Sequence, residues 1–132
     1  MLRLMLDTDM VSYALRGEGK VGARLLEHRP SDICVSAITI AELRYGADLR
    51  SSKRLHGLID DFVRDLAVEP FDRKAADRYG TLASSLSLKG TPIGMPDTLI
   101  AAHALSLGLT LVTNNAKHFG RVPSLKTENW VR

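Results

Sequence analysis

The stretch Leu2–Gly17, LRLMLDTDMVSYALRG, decides the reading of the whole chain. Leu2 to Leu6 is almost continuously apolar, the pattern of a strand buried on both faces of a parallel sheet. The run stops abruptly at Asp7-Thr8-Asp9, and MVSYALRG then reads as a short helix closed by Gly17. An acid at the end of a fully apolar strand lies where the loops of a parallel sheet gather and where such sheets bind ligands. Asp7 is therefore the first candidate site residue.

The same alternation continues outward from this unit. VGARLLEHR is a second helix, halted by Pro30, and Ile33–Ser36 is the second strand. From Ala37 a helical pattern runs through ITIAELRYGADL. Ser51 and Ser52 then offer a cap for a helix whose apolar stripe is Leu55, Leu58, Ile59, Phe62, Val63 and Leu66. Val68–Phe71 reads as a short strand, and Asp72 as the cap of a long helix ending near Gly90. After the loop GTPIGMP a helix opens at Pro96 or Asp97 and ends at Gly108. LTLVT is a strand, NNAKHFGRV a polar connection and LKTENW a terminal edge strand. Strands alternating with helices, without repeat or linker, predict one α/β domain over residues 1–132. Its central sheet is mainly parallel and flanked by helices.

Composition narrows the function classes. A chain of 132 residues, 45% hydrophobic and 25% charged, is sized for one core. No apolar run approaches the roughly 20 residues that span a bilayer, and the N-terminal segment lacks a cleavage signal, so a cytoplasmic location is expected. Cys34 is the sole cysteine, which excludes an internal disulfide and a thiolate cluster; within ICVS it reads as a core residue. The net charge of +3 is compatible with a polyanionic partner. The basic residues are scattered without an aromatic-rich stripe, so phosphate contacts would dominate any nucleic-acid binding.

Three acids occupy functional positions: Asp7 after the first strand, Glu42 in the helix after the second, and Asp97 at the start of the helix after the Gly/Pro loop. Each also has a plain structural role available. Asp7 or Asp9 suits the cap of the next helix. Glu42 follows Thr39 at the spacing of a capping box. Asp97 complements a positive helix end. If the three converge, protons or a cation must offset their repulsion, and an all-carboxylate site selects a hard ion such as Mg²⁺ or Mn²⁺. The four histidines, His28, His56, His103 and His118, have no metal-binding spacing, which argues against zinc.

Four segments together, LMLDTDMVSYALRG, VSAITIAELRYGA, GTPIGMPDTLIAAHAL and LTLVTNNAKHFGRVPSLKTENW, resemble the blocks of PIN-domain ribonucleases, specifically the VapC toxins of toxin–antitoxin pairs. The resemblance covers nearly the whole chain in order. It implies a PIN-like fold and hydrolysis of RNA with Mg²⁺ or Mn²⁺ held by Asp7, Glu42 and Asp97. Asp7 and Asp97 would be inner-sphere ligands, and Glu42 would ligate or orient the attacking water. Thr113 matches a supporting hydroxyl, and Asn115 and Thr113 would position the phosphate or a metal-bound water. It further implies a homodimer, a VapB-like antitoxin and a tRNA substrate, the initiator tRNA by nearest likeness. The stripe from Leu43 through Leu66 is the expected docking surface if it is not plain core. Two departures stand out. Asn114 and Asn115, followed by His118, occupy the region where many members carry a fourth acid, which bears on a second metal. Asp9 replaces a common asparagine and is read first as a helix cap, second as part of the metal's outer shell.

Two rival readings follow from the same residues. LMLDTDMV also satisfies the Asp-x-Asp block of haloacid-dehalogenase-type phosphatases, with Asp7 as nucleophile and Asp9 as acid/base. The absent fourth acid also suits a PIN-fold module that binds RNA or protein without cutting.

Overall fold

The computed structural model describes residues 1–132. In chain order the elements are β1 (Leu4–Leu6), α1 (Thr8–Arg16), α2 (Val21–Leu26), β2 (Ile33–Ser36), α3 (Ala37–Leu49), α4 (Lys53–Val63), β3 (Ala67–Glu69), α5 (Arg73–Leu88), α6 (Met95–Leu107), β4 (Thr110–Val112), α7 (Ala116–Phe119) and β5 (Thr127–Glu128). The five strands form one sheet in the order β3-β2-β1-β4-β5, and every pairing is parallel. The expected α/β architecture with a parallel sheet flanked by helices is the one observed. No helix is long and apolar enough to cross a membrane.

Period-two alternation along the strands divides the core into two layers. Met5, Cys34 and Leu111 lie side by side in register and face α5 and α6, packing with Leu82, Leu86, Ile100 and Ala101. Leu4, Leu6, Ile33, Val35 and Val112 face the other way, against Met10, Val11, Val21 and Trp130. Both faces of the central strand are thus covered, which is why it reads as an unbroken apolar run. Cys34 is a fully buried core residue, as its surroundings imply, and burial pushes its thiol up to about 12.

The helix ends follow local chemistry. Ser52 and Asp72 cap α4 and α5, accepting from the Leu55 and Ala75 N–H groups. Gly17 and Gly108 end α1 and α6 in the left-handed conformation, at φ +68° and +69°, which side chains resist. Several bounds need correction: α2 ends at Leu26, short of Arg29, and the terminal strand is only Thr127–Glu128. The third strand is Ala67–Glu69, all three residues pairing with β2, and it stops before Pro70, which has no N–H to extend the ladder. The connection NNAKHFGRV is not irregular throughout: it contains α7, whose cap is the Asn115 side chain.

The strand order places the site. From β1 the chain first builds outward through β2 and β3, then returns to add β4 and β5 on the opposite side. The direction of winding reverses between β1 and β4, and a crevice opens there beyond the strand ends. Asp7 stands in it, with its backbone N–H bonded to the Val112 carbonyl at 3.0 Å.

Candidate active site

Asp7 is held by both of the elements it joins. Its Oδ1 accepts the Met10 N–H at 2.8 Å, making it the N-cap of α1. The Thr113 hydroxyl, just past β4, also bonds its carboxylate. Only 4% of the residue is exposed. Burial pushes its pKa up to about 7, and the charges of Asp9 and Asp97 add to the rise, while the bonds from Thr113 and Met10 oppose it. The capping role expected for Asp9 therefore belongs to Asp7. Asp9 sits in the first turn of α1, exposed, and lines the same cleft.

Glu42 projects from α3, which begins at Ser36, whose Oγ accepts the Ile38 N–H at 3.0 Å. Thr39 is inside this helix, so the Thr39–Glu42 spacing is not a capping box. Glu42 Oε1 instead accepts from the Thr8 hydroxyl at 2.6 Å. Thr8 Oγ1 is also 3.2 Å from Thr39 Oγ1. Its one proton goes to the carboxylate, so Thr39 supplies the proton of the second bond. Burial raises the Glu42 pKa, the Asp97 and Asp9 charges raise it further, and the Thr8 bond works against them.

Asp97 lies in the first turn of α6, behind Pro96, where a carboxylate favours the helix end. Its Oδ2 is 3.1 Å from His118 Nδ1 on α7. Asn115 caps α7 by accepting the His118 N–H at 3.2 Å, and its own N–H donates to Thr113 Oγ1 at 2.9 Å. One cleft of about 60 Å³ is lined by Asp7, Thr8, Asp9, Glu42, Asp97, Asn115 and Phe119. The three acids singled out in the sequence, distant along the chain, do share one pocket. Thr8 and Phe119 join them in the lining, and His118 meets Asp97, without any signal in spacing. A threonine between two aspartates after an apolar strand is the one hint that was available.

The cleft's donor chemistry can be tested against a divalent ion. No group of three His, Cys, Asp or Glu side chains is arranged to hold a metal ion as the side chains stand. Each acid, however, has one oxygen tied to the scaffold: Asp7 Oδ1 by Met10, Glu42 Oε1 by Thr8 and Asp97 Oδ2 by His118. In the same pocket burial disfavours ionised Asp7 and Glu42, and the Asp9 and Asp97 charges add to the effect. An all-oxygen, anionic, partly desolvated pocket suits a hard divalent cation. By donor type, though not by their present side-chain arrangement, the residues suit such an ion.

A second groove, of about 200 Å³, shares Thr8 and Glu42 with the cleft and continues between α1, α3 and α4. Leu15, Leu43, Ala47, Leu55 and Ile59 line it, with Arg16 and Arg50 at its polar positions. The stripe expected as either docking surface or core is divided between the two. Phe62, Val63 and Leu66 pack on the core layer of β1 and β2, Leu55 and Ile59 line the groove, and Leu43 does both.

A parallel five-stranded sheet with an acidic crevice at its switch point defines a class, and residues 4–125 match the family model described as PIN domain. The chain belongs to the PIN domain family and, by full-length likeness, to its VapC ribonucleases. It is 41% identical over 132 residues to Ribonuclease VapC2 of Haemophilus influenzae, covering 99% of this chain and 100% of that protein. It is 36% identical over 131 residues to the tRNA(fMet)-specific endonuclease VapC of Salmonella typhimurium, covering 98% and 99%. The crystal structure of DNA-bound VapBC from Salmonella typhimurium superposes at a TM-score of 0.93, with 36% identity over 98% of this chain and 99% of that one. Membership in this family sets aside the haloacid-dehalogenase reading of the Asp7–Asp9 block.

Proposed function

We propose that this chain is a divalent-metal-dependent endoribonuclease toxin in which Asp7, Glu42 and Asp97 hold the ion, and that a VapB-like antitoxin neutralises it. The observation that carries the reading is the cleft itself: three carboxylates from β1, α3 and α6 line one small pocket, with the most buried of them, Asp7, raised to about 7. Asp7, Glu42 and Asp97 would hold Mg²⁺ or Mn²⁺, which would supply water activation and charge neutralisation at the scissile phosphate.

The chain's own residues set the stage for that chemistry. Thr113 and the Met10 N–H orient Asp7, Thr8 orients Glu42, and His118 orients Asp97. Asn115 spends its side-chain oxygen on capping α7, which leaves its amide nitrogen to donate to a phosphate oxygen in the cleft. Asp9 adds negative charge at the rim and strengthens the pull on a cation. Arg16 and Arg50, in the adjoining groove, are placed to meet the RNA backbone.

We extend initiator tRNA to this chain as its target, a reading supported by relatives from Salmonella typhimurium and Shigella flexneri that are named for tRNA(fMet). The test is incubation of purified protein with initiator and elongator tRNA, in Mg²⁺ and in EDTA. Discrete cleavage of initiator tRNA in Mg²⁺ alone is the expected result. RNA binding without metal-dependent cleavage would replace this reading with that of a binding module.

The antitoxin's place is the groove between α1, α3 and α4. Its apolar walls suit an amphipathic segment, and its opening at Thr8 and Glu42 lets a basic side chain reach the acids. Gly46 lines this groove, and a Cβ there would meet no atom within 4 Å. Gly46→Arg is expected to leave the helix formed and fill the groove, reducing antitoxin binding by at least about tenfold, the equivalent of losing one interface anchor. Wild-type affinity of that variant in a titration with the cognate antitoxin would move the docking surface elsewhere. A homodimer belongs to the same proposal.

A further inference from the structure

We infer that His103 is a positioning residue of the nuclease: through Ser36 it ties the start of the helix that carries Glu42 to the helix that carries Asp97. The inference rests on the proposed metal site and adds to it the element that fixes two of the acids relative to one another.

His103 lies six residues beyond Asp97 on α6 and is 1% exposed. Its neighbours Ile100, Ala101, Ala102 and Ala104 are all apolar and fully buried, so an imidazole is out of keeping with the layer it occupies. Its Nδ1 is 2.7 Å from Ser36 Oγ, an atom that is itself fully buried and sits six residues before Glu42. The two helices are therefore pinned at one point, equally distant in sequence from each acid.

Ser36 Oγ can serve α3 and the imidazole at once. Ser36 Oγ already accepts the Ile38 N–H as cap of α3. Its own proton is free to donate to Nδ1, which makes Nδ1 the acceptor and puts the imidazole proton on Nε2. That proton goes to the Pro70 carbonyl. The ring also meets the Phe71 ring edge-on, at 5.2 Å and 75°. Burial lowers the imidazole pKa against the raising influence of Asp72 and Glu69. One side chain thus joins the β2–α3 junction, the segment after β3, and α6.

A buried neutral hydrogen bond adds little net stability over a well-packed apolar residue. Its distinctive contribution is direction. Glu42 and Asp97 come from helices on different parts of the sheet, and their separation decides whether both reach one cation. Partners bonded directly to metal-binding groups change affinity by about 10–100-fold when removed, and His103, which acts through the helices, is expected at the lower end of that range.

The test compares His103→Asn with His103→Gln. Asparagine places Oδ1 near the position of Nδ1 and keeps the Ser36 bond. Glutamine reaches toward Pro70 and loses it. Mn²⁺ is titrated into each full-length protein without RNA, and the free ion is read by electron paramagnetic resonance; thermal unfolding is recorded in parallel. His103→Gln is expected to bind Mn²⁺ roughly tenfold more weakly than wild type, and His103→Asn to restore affinity to within about twofold. Ser36→Ala, which leaves the imidazole in place, breaks the link from the other end. It carries the same expectation should His103→Gln not fold. Wild-type Mn²⁺ affinity in folded His103→Gln or Ser36→Ala would show that the imidazole only fills the core, and would leave the metal site standing. Absence of Mn²⁺ binding in the wild type would remove the metal site and this inference together.

Discussion

Asp7→Asn is expected to abolish RNA cleavage and, in metal-free protein above pH 7, to raise the melting temperature. The two effects have a common cause. Asp7 lies at the end of a strand with 4% of its surface exposed, and burial with the Asp9 and Asp97 charges brings its pKa up to about 7. In the unfolded chain the same carboxyl titrates near its ordinary 3.8. Between those values the folded protein binds more protons than the unfolded one, so stability falls as pH rises from about 4 to about 7 and stays at the lower level above. The gap corresponds to a ceiling of roughly 4 kcal/mol at pH 8. Asparagine removes the charge yet keeps the side-chain oxygen that caps α1, since the two residues cap about equally well. We expect a gain of roughly 5–10 °C in melting temperature at pH 8 in EDTA, little change at pH 4, and a loss of cleavage beyond about 100-fold. A folded variant that cleaves RNA at the wild-type rate would refute the role of Asp7. A lower melting temperature at pH 8 would show that the Asp7 charge supports the fold rather than straining it.

The second large effect is stabilisation by the cation itself. A ligand that binds only the folded state at 100 times its dissociation constant adds about 2.7 kcal/mol, which for a chain of this size is roughly 10 °C. Mn²⁺ or Mg²⁺ at pH 8 is therefore expected to raise the wild-type melting temperature by about that amount, and EDTA to reverse it. The increment should be larger at pH 8 than at pH 5, because below pH 7 the ion competes with the proton on Asp7. Asp7→Asn and Asp97→Asn should each suppress it. Differential scanning fluorimetry with a cation series reads all of this at once. A wild-type curve that ignores millimolar Mn²⁺ would contradict the assignment of the three acids, whatever the nuclease assay shows.

These expectations rest on features of unequal legibility. The apolar run ending at Asp7 identified the central strand, because a strand covered on both faces needs no polar alternation. Ser52, Asp72, Gly17 and Gly108 were readable as helix ends, since each acts within a few residues of itself. Asp9 was misread for an instructive reason: both acids flanking Thr8 have capping chemistry, and only the backbone path shows that α1 starts at Thr8 and takes Asp7 as cap. The Thr39–Glu42 spacing misled similarly, because Ser36 had already begun the helix. The short α7 was missed because four residues carry no periodicity.

The amino-acid order by itself determined the alternation of strands and helices, the parallel sheet, the place of Asp7 at a strand end and the family likeness. Each of these is written in local pattern or in motifs that can be read along the chain. Tertiary structure alone decided which groups face one another. Thr8 meets Glu42 across 34 positions, His118 meets Asp97 across 21, and His103 meets Ser36 across 67. Such pairings depend on strand order and helix packing, which bring together side chains that no periodicity relates. The burial of Asp7, and with it the raised pKa, arises the same way: a carboxylate acquires its chemistry from what surrounds it, and those surroundings exist only once β1 lies between β2 and β4.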